Sequence, residues 1–242
     1  MSRACRRATS GRLDQSAAEA DAIPDDQFRP EETRASYDAV AKRYAEEIAT
    51  ELANKPFDRD FLNRFAESVK GRGKVVELGC GPAHVSAYLA EQGVDMTGLD
   101  LAPQMVEQAT RLFPDLDVIV GDMLHLPFAD GSLAGLIAFY SIIHFDDDQL
   151  ATAFSEMGRV LDPGCPLALA FHIGDEVVRR YQWWDMPVVL DFRLLDPVAI
   201  ERILGRAGFE IESTVERDPF PDVEYQSRRA YIVARKSDLT GA

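Results

Sequence analysis

From Lys74 onward the chain alternates short β-rich runs with stretches of helical periodicity, and this alternation leaves few folds open. The runs are KVVELG, VDMTGLD, LDVIVGD, SLAGLIAFYS and PLALAFH, with helices predicted over about Pro82 to Gln92, Pro103 to Phe113 and Asp148 to Leu161. Strands joined through helices pair in parallel with right-handed crossovers, because a tight turn cannot bring the chain back alongside itself in the same direction. The pattern breaks at residues 173–195, which read as an irregular insertion holding both tryptophans. A helix from about Pro197 to Ala207 then precedes FEIESTVERD and RRAYIVARK. The Pro-containing loop between these two runs is too short for a crossover helix, so they are expected to pair antiparallel.

Upstream, Tyr37, Val40, Ala41, Tyr44, Ile48 and Leu52 recur at helical spacing, and Phe57, Phe61, Leu62, Phe65 and Val69 do so after Pro56. The chain therefore divides into a tail over 1–29, a helical cap over 30–72 and an α/β core over 73–236. Residues 1–13 contain Arg3, Arg6, Arg7 and Arg12 but no acid and no apolar segment, which excludes a secretion signal. They resemble the start of a transit peptide, but Asp14, Glu19 and Asp21 follow at once, and a disordered tail is expected.

Charge narrows the partners. With 26 Lys plus Arg against 41 Asp plus Glu, the net charge is 26 − 41 = −15. Such a chain repels nucleic-acid phosphates and anionic membrane, because that affinity comes from Lys and Arg displacing counterions. Cys5, Cys80 and Cys165 are odd in number and far apart, which fits a reducing cytoplasm and no structural zinc. The longest nearly apolar run, Leu133 to Phe145, is too short to cross a bilayer.

Glu77-Leu78-Gly79-Cys80-Gly81-Pro82-Ala83 stands where a strand turns into a helix. Its glycines let backbone approach a ligand, and the helix start offers unpaired N–H groups. Alone this is a weak signal, since dinucleotide sites share it. Asp100 ends the second strand, where a carboxylate can accept both hydroxyls of an unphosphorylated ribose. Asp122 ends the third, where it can accept from an adenine amine.

From residue 35 to 236 the sequence resembles the class I, Rossmann-like S-adenosylmethionine-dependent methyltransferases. The marks are YDAVAKRYAE, VVELGCGPA, GLDLAPQMVEQA, VGDMLHLPF, FYSIIHF and DPGCPLALAF. The resemblance implies a doubly wound, mostly parallel seven-stranded sheet with an antiparallel C-terminal pair and a helical N-terminal extension. It implies S-adenosyl-L-methionine as cofactor, with the loop Glu77, Gly79, Cys80, Gly81 around the methionine moiety, Asp100 on the ribose and Leu101 against adenine. Asp122 takes the adenine amine, Met123 packs beside the ring, the backbone near Tyr140 faces the methionine amine, and Tyr37 or Tyr44 closes over the cofactor. Ala83 departs from the usual third glycine, a change expected to matter little because alanine fits most helix starts.

A nicotinamide dehydrogenase shares the first turn but wants glycine where His84 stands and gives no role to Gly121-Asp122. Nucleic-acid amino-methyltransferases carry a different run where this chain reads Phe139-Tyr140-Ser141-Ile142. A non-catalytic binding subunit is the remaining alternative. Cys80 reads as a small apolar filler, His84 as a cap or a cofactor contact, and His125 as a surface residue.

Methyl transfer from a sulfonium is an in-line displacement in which the enzyme chiefly aligns the reacting atoms. A base is needed only if the acceptor starts protonated, and His144 and His172, at the ends of the fourth and fifth strands, are the candidates. A base of ordinary histidine character would make the rate rise through a pKa near about 6 to 7. Tyr181, Trp183 and Trp184 are expected to form a wall for an organic acceptor, completed by Phe192, Arg193, Tyr225 and Arg228, with the arginines meeting any carboxylate or phosphate. The expected partner is a small-molecule methyl acceptor of a biosynthetic pathway, with the protein a monomer or homodimer in the cytoplasm. No HExxH or similar ligand spacing occurs, so catalysis is expected to need no metal. A chelator should leave turnover unchanged, and activity lost to it and restored by magnesium or zinc would contradict the expectation.

Overall fold

The computed structural model describes residues 29–238. The expectations for the tail, including Cys5 and its arginines, fall on residues 1–28, outside the described residues. The chain opens with helices α1 (Pro30–Ile48) and α2 (Pro56–Val69), separated by a single 3-10 turn at Glu51–Asn54. There follow β1 (Lys74–Leu78), α3 (His84–Glu91), β2 (Asp95–Asp100), α4 (Pro103–Leu112), β3 (Asp117–Val120) and β4 (Gly135–Phe139). Next come α5 (Asp147–Val160), β5 (Pro166–His172), β6 (Val177–Trp183), β7 (Met186–Arg193), α6 (Pro197–Arg206), β8 (Phe209–Arg217) and β9 (Arg229–Lys236).

The main sheet has the order β3-β2-β1-β4-β5-β9-β8. Its first five strands are parallel, and β9 lies antiparallel between β5 and β8. Strands β1, β4 and β5 are buried on both faces, which is why they read as unbroken apolar runs. The period of two still sorts their side chains. Val76, Leu78, Leu136, Ala138, Leu167, Leu169 and Phe171 share one core with α5 and α6. Val75, Ile137, Phe139, Ala168 and Ala170 share the other with α2 and α3. Local chemistry marks helix starts: proline opens α1, α2, α4 and α6, and Asp146 with Gln149 forms a capping box on α5.

The stretch 173–195 is not irregular. It forms the β6–β7 hairpin, a separate two-stranded sheet closed by Trp184 and Asp185, both at positive φ (50° and 64°). That is the twist a two-residue hairpin turn requires, and it is normally signalled by Asn-Gly rather than by a tryptophan. The hairpin folds over α1: Val40, Ala41, Ala102, Met105, Val188 and Leu190 make a third apolar cluster. Ser36 clips the two together, its hydroxyl accepting from Val189 N at 2.8 Å and donating to Val189 O at 3.2 Å. This layer covers the carboxyl end of β2.

On the other flank, Arg217 joins α2 to the loop between β8 and β9. It makes paired bonds to Glu224 (both 2.7 Å), and contacts Asp58 at 3.1 Å and Tyr231 Oη at 2.6 Å. The rings of Phe57, Phe220 and Tyr231 surround the guanidinium at 4.6–5.3 Å. Asp58 and Glu224 have fully buried side chains, so removing Arg217 leaves Asp58 without an ion-pair partner and Glu224 with only Arg229, 3.5 Å away. Arg217→Met should therefore cost about 3 to 5 kcal/mol in urea unfolding. A loss below about 1 kcal/mol would show the cluster to be dispensable.

Candidate functional site

Strand order reverses between β1 and β4, and at such a reversal the crossovers diverge and open a crevice at the carboxyl ends. The cleft here encloses about 920 Å3, part of it open to solvent. Its floor is set by Gly79, at φ +68°, where an added Cβ would lie 2.5 Å from Ser141 Cβ. Ser141 in turn donates from Oγ to Leu78 O at 2.6 Å, tying the ends of β1 and β4 together.

Asp100 organises the loop after β1. Its Oδ2 accepts from Gly81 N at 2.7 Å and its Oδ1 from Ala102 N at 2.9 Å. Each oxygen keeps a further lone pair, and burial pushes the carboxyl up to about 6. Glu77, buried beneath the loop, accepts from Ser86 Oγ at 2.5 Å. Burial raises it to about 7, more than Ser86 and His84 lower it. Ala83 starts α3 at φ 62°, ψ 27°. The expected easy fit of alanine there is thus corrected: the left-handed conformation costs a residue with a Cβ about 1 to 2 kcal/mol.

His84 and Glu51 form the far wall, with Nε2 and Oε1 2.9 Å apart. Burial would raise Glu51, but His84 and Lys55 outweigh it and hold the carboxyl at about 2. An ionised Glu51 only accepts, so Nε2 is the donor and the buried Nδ1 has no protein partner. On the opposite wall Tyr37 Oη lies 2.8 Å from His144 Nε2, and His144 Nδ1 lies 2.7 Å from Asp191 O. Burial drives His144 down to about 4. The expected rise in rate through a pKa near about 6 to 7 therefore cannot come from this ring.

The cleft brings together every residue that the resemblance placed on the cofactor: Tyr37, Tyr44, Glu77, Gly79, Cys80, Gly81, Asp100, Leu101, Asp122, Met123 and Tyr140. Asp122 accepts from Leu124 N through Oδ1. Tyr140, at φ 58°, bonds Tyr231 Oη at 2.9 Å. Cys80 is buried against Ala83 and Ala109, and His125 is exposed.

The second candidate base and the proposed acceptor wall lie elsewhere. His172 is outside the lining, its Nδ1 2.7 Å from Ser227 Oγ, and burial together with Arg229 and Lys55 pushes it to about 3. Trp183 packs edge-on against Tyr37 and Tyr44, Trp184 stacks on Trp183, and Phe192 lies against His144. None of these three rings lines the cleft: Trp183 and Trp184 pack on Tyr37 and Tyr44 of α1, and Phe192 packs on His144. Tyr181 and Tyr225 are exposed, Arg193 ends β7, and Arg228 pairs with Glu216 on the surface. Sequence reasoning missed Glu51, on a single 3-10 turn without local signature, and Ser141, whose role comes only from a neighbouring strand. Among the described residues no group of His, Cys, Asp and Glu could hold a metal ion, and no helix is long and apolar enough to cross a membrane.

Residues 75–164 match the model of the family described as "Methyltransferase domain". The chain is 31% identical over 143 residues to demethylmenaquinone methyltransferase of Beutenbergia cavernae, 58% of each chain. It is 30% identical over 131 residues to O-methyltransferase resE of Aspergillus sclerotiorum, 51% of this chain and 48% of that one. The chain thus spans about half to three-fifths of the length of these curated relatives. A solved complex of DhpI with SAH shares the fold, with a TM-score of 0.68 at 17% identity over 88% of this chain and 98% of that one.

The raised Glu77 has a consequence for stability. Between its ordinary value and about 7 the folded state holds a proton that the unfolded state has released, so stability falls as pH rises through that window. Glu77→Gln should stabilise the ligand-free protein at pH 8 by about 2 to 3 kcal/mol and leave it unchanged near pH 4. Equal denaturation midpoints at pH 8 would contradict an uncompensated buried carboxylate.

Proposed function

We infer that this chain, whose residues 75–164 belong to the methyltransferase-domain family, is an S-adenosylmethionine-dependent methyltransferase of class I fold acting on a small organic molecule. The observation that carries the reading is Asp100: a buried carboxylate holding the Gly79–Gly81 loop while keeping lone pairs free at the sheet's switch point. The residues fit the group. Asp100 is free to accept two ribose hydroxyls, Leu101 and Met123 offer apolar surface for adenine, and Asp122 keeps Oδ2 for its amine. Position 79 admits no side chain, which leaves room beside the loop for the amino-acid end, and the orphaned His84 Nδ1 is left as a polar partner for it. S-adenosylmethionine, when bound, supplies a methyl group already activated on a sulfonium. The protein then contributes alignment, exclusion of water by Tyr37 and Tyr44, and proton handling near His144. The relatives' names, a demethylmenaquinone methyltransferase and an O-methyltransferase, favour a metabolite acceptor in a biosynthetic pathway, methylated on oxygen, nitrogen or carbon.

Calorimetry with S-adenosylhomocysteine tests the site. Asp100→Asn, which keeps one acceptor oxygen, should weaken binding by about 1.5 to 3 kcal/mol with the fold intact. Because the ribose favours the ionised carboxylate, wild-type affinity should fall by up to about tenfold per pH unit below about 6. Unchanged affinity in the variant and across pH 5 to 8 would remove the assignment. Incubation with labelled methyl donor and a metabolite extract, followed by mass spectrometry, identifies the acceptor by its gain of one methylene.

A further inference from the structure

We propose that Tyr37 is the catalytic residue that takes the acceptor's proton and relays its own to His144, which fits the site to a hydroxyl acceptor. The proposal rests on the methyltransferase reading and specifies the acceptor group.

The geometry determines the tautomer. Asp191 O is a carbonyl and can only accept, so His144 Nδ1 carries the hydrogen in the 2.7 Å bond between them. In the neutral ring Nε2 is then a bare lone pair, and in the 2.8 Å contact it accepts from Tyr37 O–H. Both ring nitrogens are thereby used, and no acceptor bonds His144 directly while this arrangement holds. Tyr37 Oη keeps its own lone pairs and lines the cleft beside His144. Phe145 and Phe139 make the surrounding wall apolar. A neutral hydroxyl meets its hydrogen-bond partner at Tyr37, whose free lone pair accepts the proton that the hydroxyl carries.

The step balances. The acceptor oxygen forms a bond to the methyl carbon while the carbon–sulfur bond breaks, its electron pair staying on sulfur. The acceptor's O–H proton moves to Tyr37 Oη, and the Tyr37 proton moves to His144 Nε2. The products are a methyl ether, a neutral thioether, an intact Tyr37 and an imidazolium, so the positive charge lost from sulfur reappears on His144. A weak base suffices, because an oxygen that has just gained a methyl is a very strong acid. Tyr44 on α1, Asp100 at the end of β2 and Asp191 on β7 are the titratable groups facing the pair, and the Asp191 carboxylate is turned to Arg179. With burial holding His144 near 4, the relay stays ready from pH 5 upward.

Nitrogen-15 NMR on histidine-labelled protein saturated with S-adenosylhomocysteine reads the tautomer without turnover. The expected result is an Nδ1-protonated, Nε2-bare His144 from pH 5 to 8, with Tyr37→Phe shifting the Nε2 resonance. An Nε2–H tautomer, or an imidazolium at pH 7, would overturn the relay. With labelled donor and 1-naphthol as probe, Tyr37→Phe and His144→Gln should each lower turnover about 100-fold at little change in KM, and the double variant should be no worse. Wild-type turnover in Tyr37→Phe would also overturn it. If 1-naphthol is not methylated, the NMR result alone decides. Failure of S-adenosylhomocysteine to bind would instead sink the methyltransferase reading, and the tautomer is still measurable on the free protein.

Discussion

The close approach of the loop after β1 to the loop after β4 is the constraint on which the site depends. A side chain at position 79 would drive its Cβ to within 2.5 Å of Ser141, so glycine is required there. The same contact fixes where Gly81 N points, and through it where the Asp100 carboxylate is held. The parallel sheet supplies the opening, since crossovers diverge between β1 and β4. The glycine turn lets the backbone line that opening closely, flanked by the Glu77 and Asp100 carboxylates.

The site is assembled from groups that the ligand-free protein does not satisfy. Glu77 and Asp100 are buried with too little positive charge to keep them at ordinary carboxylate values, and His144 is buried away from the charge that would protonate it. His84 Nδ1 lacks a protein partner, and Ala83 and Tyr140 occupy the left-handed region beside the cleft. Each feature costs stability, and all lie on or beside one cavity; in the Arg217 cluster, by contrast, Glu224 is held below the usual carboxylate range by its bonds to Arg217. A cationic, hydroxyl-bearing ligand would relieve several of these costs at once.

Much of this was legible in the sequence because parallel strands and crossover helices have distinct periods. The seven strands of the main sheet and its antiparallel end pair fell where the apolar runs and the short Pro-containing loop put them, and the carboxylates closing β2 and β3 could be numbered without coordinates. What escaped has physical reasons. The β6–β7 hairpin turns on Trp184-Asp185, residues that carry no turn signal, so its strands read as irregular. Trp183 and Phe192 read as cleft residues because chain position cannot reveal that Tyr37, Tyr44 and His144, against which they pack, are the residues that line it. The depressed His144 follows from burial by α1 and that hairpin, and Glu51 enters the wall only because α1 and α2 meet at a single 3-10 turn.

The most direct test is a crystal structure of the protein with S-adenosylhomocysteine. The account predicts both ribose hydroxyls on the Asp100 carboxylate, which keeps its bonds to Gly81 N and Ala102 N, and adenine between Leu101 and Met123. A ligand seated elsewhere, with Asp100 bonded to backbone alone, would contradict it.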